Sequence, residues 1–529
     1  MPGPKRRGWT RDIHRGAYAM RLDEIIGRLC GKPHTLTFVD DKGGQTTRTF
    51  HDLFVDVLAM VEHGKARGLV PGCRVGIAAP SSYAWMVWDL ACIELGCVSV
   101  TFPNDRLAQP CEASIDQYQL TLMAVDPGWL DADAPRSDRV IDIGFVPDTE
   151  GSQANQVRRL PRVSPIVIQH LPHTHSMVFS SGTTGKNKGL IVGRCGTENL
   201  LNLYFEAFGV EPGDRFLTFL PFANYQQRMI YYFCLYHGID FVAVPFKLLF
   251  GGLKQQRPTF VIAPPILYET LQNLARAGAG AQQAEGDALS RRLKELTGGN
   301  MRYMITGMAP IKRTALDFFW ECGIPLYEAF GITEAGMVAW NKPGCVRVGT
   351  VGQPAEAGSV SLSDEGEVIV TRSALLSLGY FEASEEDART TFVGPNSVAT
   401  GDIGEFDDEG FLRVIGRKKD AIVTSNGEKF HPEPIEALLH RDPRVEVAVV
   451  LAGQGAGLNV VISTRRHDDA EVTQTLRAHV ASVNETLPAQ RQLTHIVFTG
   501  SEFTVENGLR TKNLKLNRRA IAAAFLRQA

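Results

Sequence analysis

Residues 180–189 read Ser180-Ser181-Gly182-Thr183-Thr184-Gly185-Lys186-Asn187-Lys188-Gly189. Just before them, Met177-Val178-Phe179 is apolar and predicts the end of a strand. A strand running into such a loop offers free backbone N–H groups, several hydroxyls and two ammonium groups, which together suit a polyphosphate. The glycines let the backbone come close and take up positive φ. The P-loop pattern does not fit. It needs Gly, four residues, then Gly-Lys-Ser/Thr, whereas Ser180 stands five before Gly185 and Asn187 follows Lys186. A plain surface turn is the competing reading of a Ser/Thr/Gly stretch, so the rest of the chain decides.

At 529 residues the chain is long enough for two or more domains. With 44% hydrophobic and 21% charged residues it reads as globular, and a net charge of -3 argues against a general polyanion binder, so no nucleic-acid partner is expected. The basic stretch Lys5-Arg6-Arg7 has no apolar run behind it, so neither a secretory leader nor a transmembrane segment is expected. Nine cysteines, scattered from Cys30 to Cys345 without a Cys-x-x-Cys pair, fit reduced thiols and a cytoplasmic location. His170-x-x-His173-x-His175 is a metal decoy, since Pro172 interrupts it and neither a cysteine nor an acidic ligand is near.

Apolar β-branched runs alternate with amphipathic stretches, the pattern of an α/β sheet covered by helices. Strands are predicted at Val75–Ala79, Cys97–Phe102, Phe216–Leu220 and Phe260–Ala263, with a helix over Trp85–Leu95. From about residue 357 the texture changes to short alternating strands with acidic turns, such as Gly366–Val370 and Gly410–Ile415. After Arg417-Lys418-Lys419-Asp420 comes a stretch of about 110 residues, enough for a small α+β domain. The boundary is placed at Lys419-Asp420, giving domains 1–418 and 419–529.

Further along, Tyr303-Met304-Ile305 leads into Thr306-Gly307-Met308-Ala309-Pro310, and Tyr327-Glu328-Ala329-Phe330-Gly331-Ile332-Thr333-Glu334 forms a second turn-like motif. Glu334 offers the hard oxygens that Mg²⁺ prefers. Thr400-Gly401-Asp402 and Gly416-Arg417 stand fifteen residues apart across a β-turn-β stretch, and a carboxylate with an arginine beside it can hold two ribose hydroxyls. The segment 507–519, with Lys512 and Lys515, is basic. Taken in order, these motifs resemble those of the adenylate-forming superfamily, which includes acyl-CoA synthetases, luciferases and adenylation domains. The style is closest to the long-chain fatty acyl-CoA synthetase branch.

The resemblance implies an α/β fold: a large N-terminal domain of sheets layered with helices, a β-barrel-like subdomain, and a small mobile C-terminal α+β lid. It assigns Ser180, Ser181, Gly182, Thr183, Thr184, Gly185 and Lys188 to the phosphates of ATP, with Thr184 and Glu334 on Mg²⁺. Gly307, Met308 and Ala309 would lie along the adenine. Glu328, Ala329, Phe330, Gly331 and Thr333 would line the nucleotide, and Asp402 and Arg417 would hold the ribose. Lys515 aligns with the lysine that bridges the substrate carboxylate and the α-phosphate, although Asn513-Leu514 replace the usual Ser-Gly before it. Gly427, within Asn426-Gly427-Glu428-Lys429-Phe430, would line the path of the thiol.

The implied reaction forms acyl-AMP and pyrophosphate from ATP and a carboxylic acid, then passes the acyl group to a thiol after the small domain rotates about Lys419-Asp420. Coenzyme A is the first expectation for that thiol. The phosphopantetheine of an acyl carrier protein is the second, and a non-catalytic nucleotide sensor is a third reading. Asn224 stands where relatives commonly have a titratable His, and Val192-Gly193-Arg194 replaces a usual Thr-His. Asn224, Tyr225 and Arg228 are therefore candidates for the acyl or thiol path, and the aromatic stretch Tyr225–Tyr236 for the wall of an apolar tunnel holding a fatty or other hydrophobic acid.

Overall fold

The computed structural model describes residues 19–103, 111–130, 137–144, 161–180, 188–278, 286–423, 429–453, 457–510 and 516–526. Strands send successive side chains to opposite faces, and here that alternation fills two cores at once. In Arg215–Thr218, Phe260–Ala263 and Tyr303–Thr306, the residues Phe216, Phe260, Tyr303 and Ile305 enter one core, while Leu217, Val261 and Met304 enter another. A sheet that is apolar on both faces needs helices on both, as parallel sheets do.

Among the described residues this first sheet runs Gln353–Pro354, Gly336–Trp340, Leu326–Ile332, Tyr303–Thr306, Phe260–Ala263, Arg215–Thr218, Asp240–Ala243, Thr35–Val39, Gln45–Thr49, with parallel central pairings. A second sheet runs Ser377–Phe381, Lys188–Gly193, Thr174–Ser180, Val98–Thr101, Arg74–Ala78, Leu122–Val125, Val140–Asp142. The helices Phe50–Arg67, Tyr83–Leu95, Arg194–Phe208 and Tyr225–His237 share one core with strands of both sheets and so lie between them. Four others, Leu249–Gln256, Pro265–Gly278, Gly286–Thr297 and Arg313–Glu321, cover the far face of the first sheet.

The helix read from the sequence as Trp85–Leu95 starts at Tyr83, because the Ser82 hydroxyl accepts the Trp85 backbone N–H at 3.2 Å. It ends at Gly96, whose φ of 66° is the left-handed value that favours glycine at a helix end. The expected tunnel wall is a core helix instead. Tyr225–His237 is buried along nearly its whole length, with Tyr231 packed on Phe222 at 5.3 Å and on Trp85 at 6.2 Å between ring centroids. Among the described residues no helix is long and apolar enough to cross a membrane.

A polar knot sits inside this middle layer. Arg228 and Asp89 have no exposed side-chain surface and pair at 2.5 Å. Arg228 also donates to Ser99 Oγ at 2.6 Å and Ser176 Oγ at 2.8 Å, while the Tyr231 and Tyr232 hydroxyls donate to Asp89. Burial alone would lower the guanidinium, and the adjoining Asp89 carboxylate more than reverses that.

Where a barrel-like subdomain was expected, the described residues form a five-stranded antiparallel sheet centred on Ser397–Phe406, which pairs with Glu367–Thr371 on one side and Leu412–Arg417 on the other. Beyond Lys419 an α+β unit follows. Val447–Ala452 pairs antiparallel with Leu458–Ser463, which pairs parallel with Leu493–Thr499. The helices Glu433–Leu439 and Ala470–Glu485 close its core through Leu439, Leu476 and Val480. Arg518 clamps the Glu436 carboxylate at 2.5 and 2.9 Å.

Arg228→Met leaves Asp89 buried without its cation and is expected to cost about 3–5 kcal/mol. A thermal midpoint within a degree of the parent would contradict this. Adding Asp89→Asn is expected to restore much of the loss.

Candidate active site

Parallel strands finish at the same edge of a sheet, and that edge is where such folds bind ligands. Tyr303–Thr306 and Leu326–Ile332 run in register from Met304 opposite Leu326 to Thr306 opposite Glu328. The turn Gly307–Ala309 therefore emerges beside Ala329–Glu334. The approach is close: a methyl group on Gly307 would lie 3.2 Å from the Ala329 carbonyl oxygen. Met308 next to it has φ of 72°, uncommon for a residue with a side chain. The ladder from Leu326–Ile332 to Gly336–Trp340 slips between Phe330 and Gly331, a bulge that re-aims the following residues. Glu328 accepts the Gly349 backbone N–H at 2.8 Å, and burial lifts its carboxyl to about 7 against the opposing effect of that N–H.

Glu334 stands in the turn after this strand and accepts the Tyr380 hydroxyl at 2.9 Å. Burial, then the Glu334 charge, pushes the Tyr380 phenol up, so it stays a donor. Tyr380 belongs to Ser377–Phe381, which pairs antiparallel with Lys188–Gly193. Lys188 opens that strand, with its side chain only 14% exposed; its ammonium pairs with Asp387 at 2.6 Å. The same ammonium lies 5.3 Å from the centre of the Tyr380 ring. The hydrogen bond from Lys188 holds the Asp387 carboxyl below the ordinary value.

Asp402 and Arg417 stand directly opposite one another on neighbouring strands, Nε to Oδ1 2.9 Å. Burial lowers the Lys419 ammonium, on which the charges of Asp420, Arg417, Asp402 and Lys188 also act. The structure thus joins Glu334 and Lys188 through Tyr380, sets Gly307 against Ala329, and pairs Asp402 with Arg417. Ser180 ends the strand Thr174–Ser180 opposite Lys188. Ser181, Gly182, Thr183, Thr184, Gly185, Gly427 and Lys515 lie outside the described residues.

The path candidates separate. Asn224 caps the helix Tyr225–His237, its Oδ1 accepting the Gln226 N–H at 3.1 Å. The Tyr225 hydroxyl is buried against His175 Nε2 at 2.7 Å and Thr197 Oγ1 at 2.6 Å. Arg228 is locked in the core pair with Asp89 and faces no open path. His170 meets the Gly72 carbonyl at 3.0 Å while His175 turns into the core, so the three histidines do not converge. Among the described residues no group of three or more His, Cys, Asp or Glu side chains is placed to hold a metal by itself.

Sequence reasoning missed Tyr380 and Asp387. Asp387 had a local signal, because Ser384 accepts its backbone N–H and starts the helix Glu385–Thr391. Tyr380 had none, since its strand reaches Lys188–Gly193 across almost two hundred residues of chain.

With the geometry in hand, comparison with known proteins gives consistent matches. The AMP-binding enzyme family matches residues 28–381, and its C-terminal domain family matches 419–528. The long-chain-fatty-acid–CoA ligase FadD15 of Mycobacterium tuberculosis is 26% identical, with 87% of each chain covered. The 2-succinylbenzoate–CoA ligase of Bacillus licheniformis is 25% identical over 77% of this chain and 82% of its own. Among solved structures, the anthranilate CoA ligase AuaEII in complex with anthranoyl-AMP superposes with a TM-score of 0.75 at 19% identity, covering 96% of this chain and 97% of that one. The o-succinylbenzoate coenzyme A synthetase of Bacillus subtilis, in complex with ATP and magnesium ion, gives 0.70 at 18% identity over 94% and 98%. Two family matches in the expected order, one of them spanning most of the chain that carries this edge, establish that the protein belongs to the AMP-binding enzymes.

Proposed function

We propose that this enzyme activates a carboxylic acid with ATP and transfers the acyl group to coenzyme A. The observation that carries the reading is that Lys188 and Glu334, from different sheets, both meet Tyr380, while Asp402 stands opposite Arg417 and the Gly307 turn lies against Ala329. Those are the groups a triphosphate, a divalent cation and a ribose require.

In the first step a carboxylate oxygen attacks the α-phosphorus in line. The bond to pyrophosphate breaks and acyl-AMP forms. Positioning and charge neutralisation do most of the work in such a transfer. Lys188 would meet the phosphates and Lys515 the approaching carboxylate, while Asp402 and Arg417 fix the ribose. Glu334 fits Mg²⁺, since Tyr380 occupies one face of Oε1 and a carboxylate keeps further lone pairs for a hard cation. With Thr184 it would hold the ion, which supplies neutralisation of phosphate charge when bound. In the second step the thiol sulfur attacks the acyl carbon, the bond to AMP breaks, and the thiol proton is released. We place the hinge for the change between steps at Lys419-Asp420, dividing 1–418 from 419–529.

A hydrophobic acid is the proposed substrate, with fatty acids first, because FadD15 is named for a long-chain fatty acid. The aromatic helix no longer supports that choice, since it is core. Coenzyme A is preferred as acceptor because the named relatives are CoA ligases.

Carboxylate-dependent ATP–pyrophosphate exchange across acids of graded length should show activity with a defined optimum; no exchange with any acid would sink the reading. Supplying coenzyme A and a holo-carrier protein in parallel should give thioester with coenzyme A, and product on the carrier alone would reverse the acceptor. Lys515→Ala is expected to abolish exchange yet spare thioester formation from supplied acyl-AMP. Tyr380→Phe removes the donor that orients Glu334, so the Mg²⁺ concentration for half-maximal exchange should rise about tenfold. An unchanged Mg²⁺ curve would show that Tyr380 does not act through Glu334.

A further inference from the structure

Lys312 follows the Gly307–Ala309 turn by three residues and reaches out of the large domain. Its ammonium donates to the Val445 carbonyl at 3.1 Å and the Glu446 carbonyl at 3.0 Å, the two residues that lead into the small domain's strand Val447–Ala452. Glu269, on the helix Pro265–Gly278 of the large domain, and Glu446 of the small domain both favour the Lys312 ammonium electrostatically, while burial lowers it. Burial raises the Glu269 carboxyl against the opposing charges of Lys312 and Arg510, and all three side chains are half-buried.

Arg510 carries the joint further. Its Nε donates to the Phe503 carbonyl at 2.9 Å, and its backbone bridges Leu516. Arg510 and Leu516 are thus bridged to one another on either side of residues 511–515, the stretch of sequence that holds Lys515.

We propose that Lys312 is a positioning residue that docks the small domain in the arrangement used for acid activation. The inference rests on the two-step reading above. The lysine hangs from the turn assigned to the adenine, so nucleotide at that turn and docking of the small domain share one short piece of backbone. The small-domain atoms it hydrogen-bonds are carbonyl oxygens rather than carboxylates. A strongly hydrated ammonium can leave two carbonyls for water without stranding a buried anion on the small domain. That is a contact suited to being made for one step and released for the next.

The test uses the full-length enzyme with Lys312→Met and Lys312→Arg. Lys312→Met is expected to slow acid-dependent ATP–pyrophosphate exchange about tenfold, the loss of charge-assisted hydrogen bonds. Thioester formation from supplied acyl-AMP should stay at the parent rate or rise. Lys312→Arg, which can still reach both carbonyls, should recover most of the exchange. Amide hydrogen exchange across residues 443–449 should increase in Lys312→Met and not in Lys312→Arg. Equal loss of both partial reactions, or no change in either, would overturn the positioning role. Unchanged amide exchange at 443–449 would overturn the docking contact. Should the parent enzyme show no pyrophosphate exchange with any acid, the catalytic reading fails by itself, while the amide measurement still decides whether Lys312 docks the domain.

Discussion

The buried pair of Arg228 and Asp89 is the constraint on which the large domain depends. Apolar layers attract one another in many registers, because the hydrophobic effect has no direction. A guanidinium with no exposed surface has a direction. It must meet Asp89 on one helix, Ser99 on one strand and Ser176 on another at hydrogen-bond distance simultaneously. The helix Tyr225–His237 that carries it also contacts the first sheet through Tyr231 and Phe241. One side chain thereby sets the position of the middle helical layer against the second sheet. The strand Thr174–Ser180, which holds Ser176, is the strand that runs into the phosphate-loop sequence. That strand is tied to the core charge pair through Ser176.

At the mouth of that strand the site's own charges are held before any nucleotide arrives. Lys188 is paired with Asp387 and Glu334 with Tyr380, and the Tyr380 ring lies beside the Lys188 ammonium. Side chains already fixed lose less entropy when they meet a ligand than side chains free in solvent. Asp387 also neutralises a half-buried cation that would otherwise stand uncompensated.

Much of this was legible in the sequence. Period-two apolar runs bounded by Gly and Pro placed Val75–Ala79, Cys97–Phe102 and Phe260–Ala263 within a residue or so of the strands Arg74–Ala78, Val98–Thr101 and Phe260–Ala263. Gly307, Glu334, Asp402 and Arg417 were read as site residues from their order, and of these the structure sets Asp402 directly opposite Arg417. What failed were inferences about which way a side chain faces across distant elements. Arg228 and Tyr225 sit on a helix whose aromatic composition suits a tunnel wall as well as a core. Only the presence of Asp89 and His175, far off in sequence, settles that both face inward. Tyr380 and Lys312 were invisible for the same reason. Their partners are fixed by strand pairing and domain docking, which leave no local periodicity.

The strengths of the charge contacts are graded in a way that matches a two-body enzyme. Within the large body, Arg228 and Asp89 are buried. Within the small one, Arg518 grips Glu436 with two hydrogen bonds. Breaking either would strand a desolvated charge, at several kcal/mol. Near the proposed hinge, the half-exposed Lys418 meets the sheltered Glu367 at 2.8 Å and the exposed Glu365 at 2.9 Å, and the latter kind of pair contributes little. Between the bodies, Lys312 hydrogen-bonds carbonyl oxygens. Contacts that resist separation therefore lie inside each body, and those that water can replace lie between them. A chain with this distribution can change the relation of its two parts without unfolding either, as a single edge that must serve two successive reactions demands.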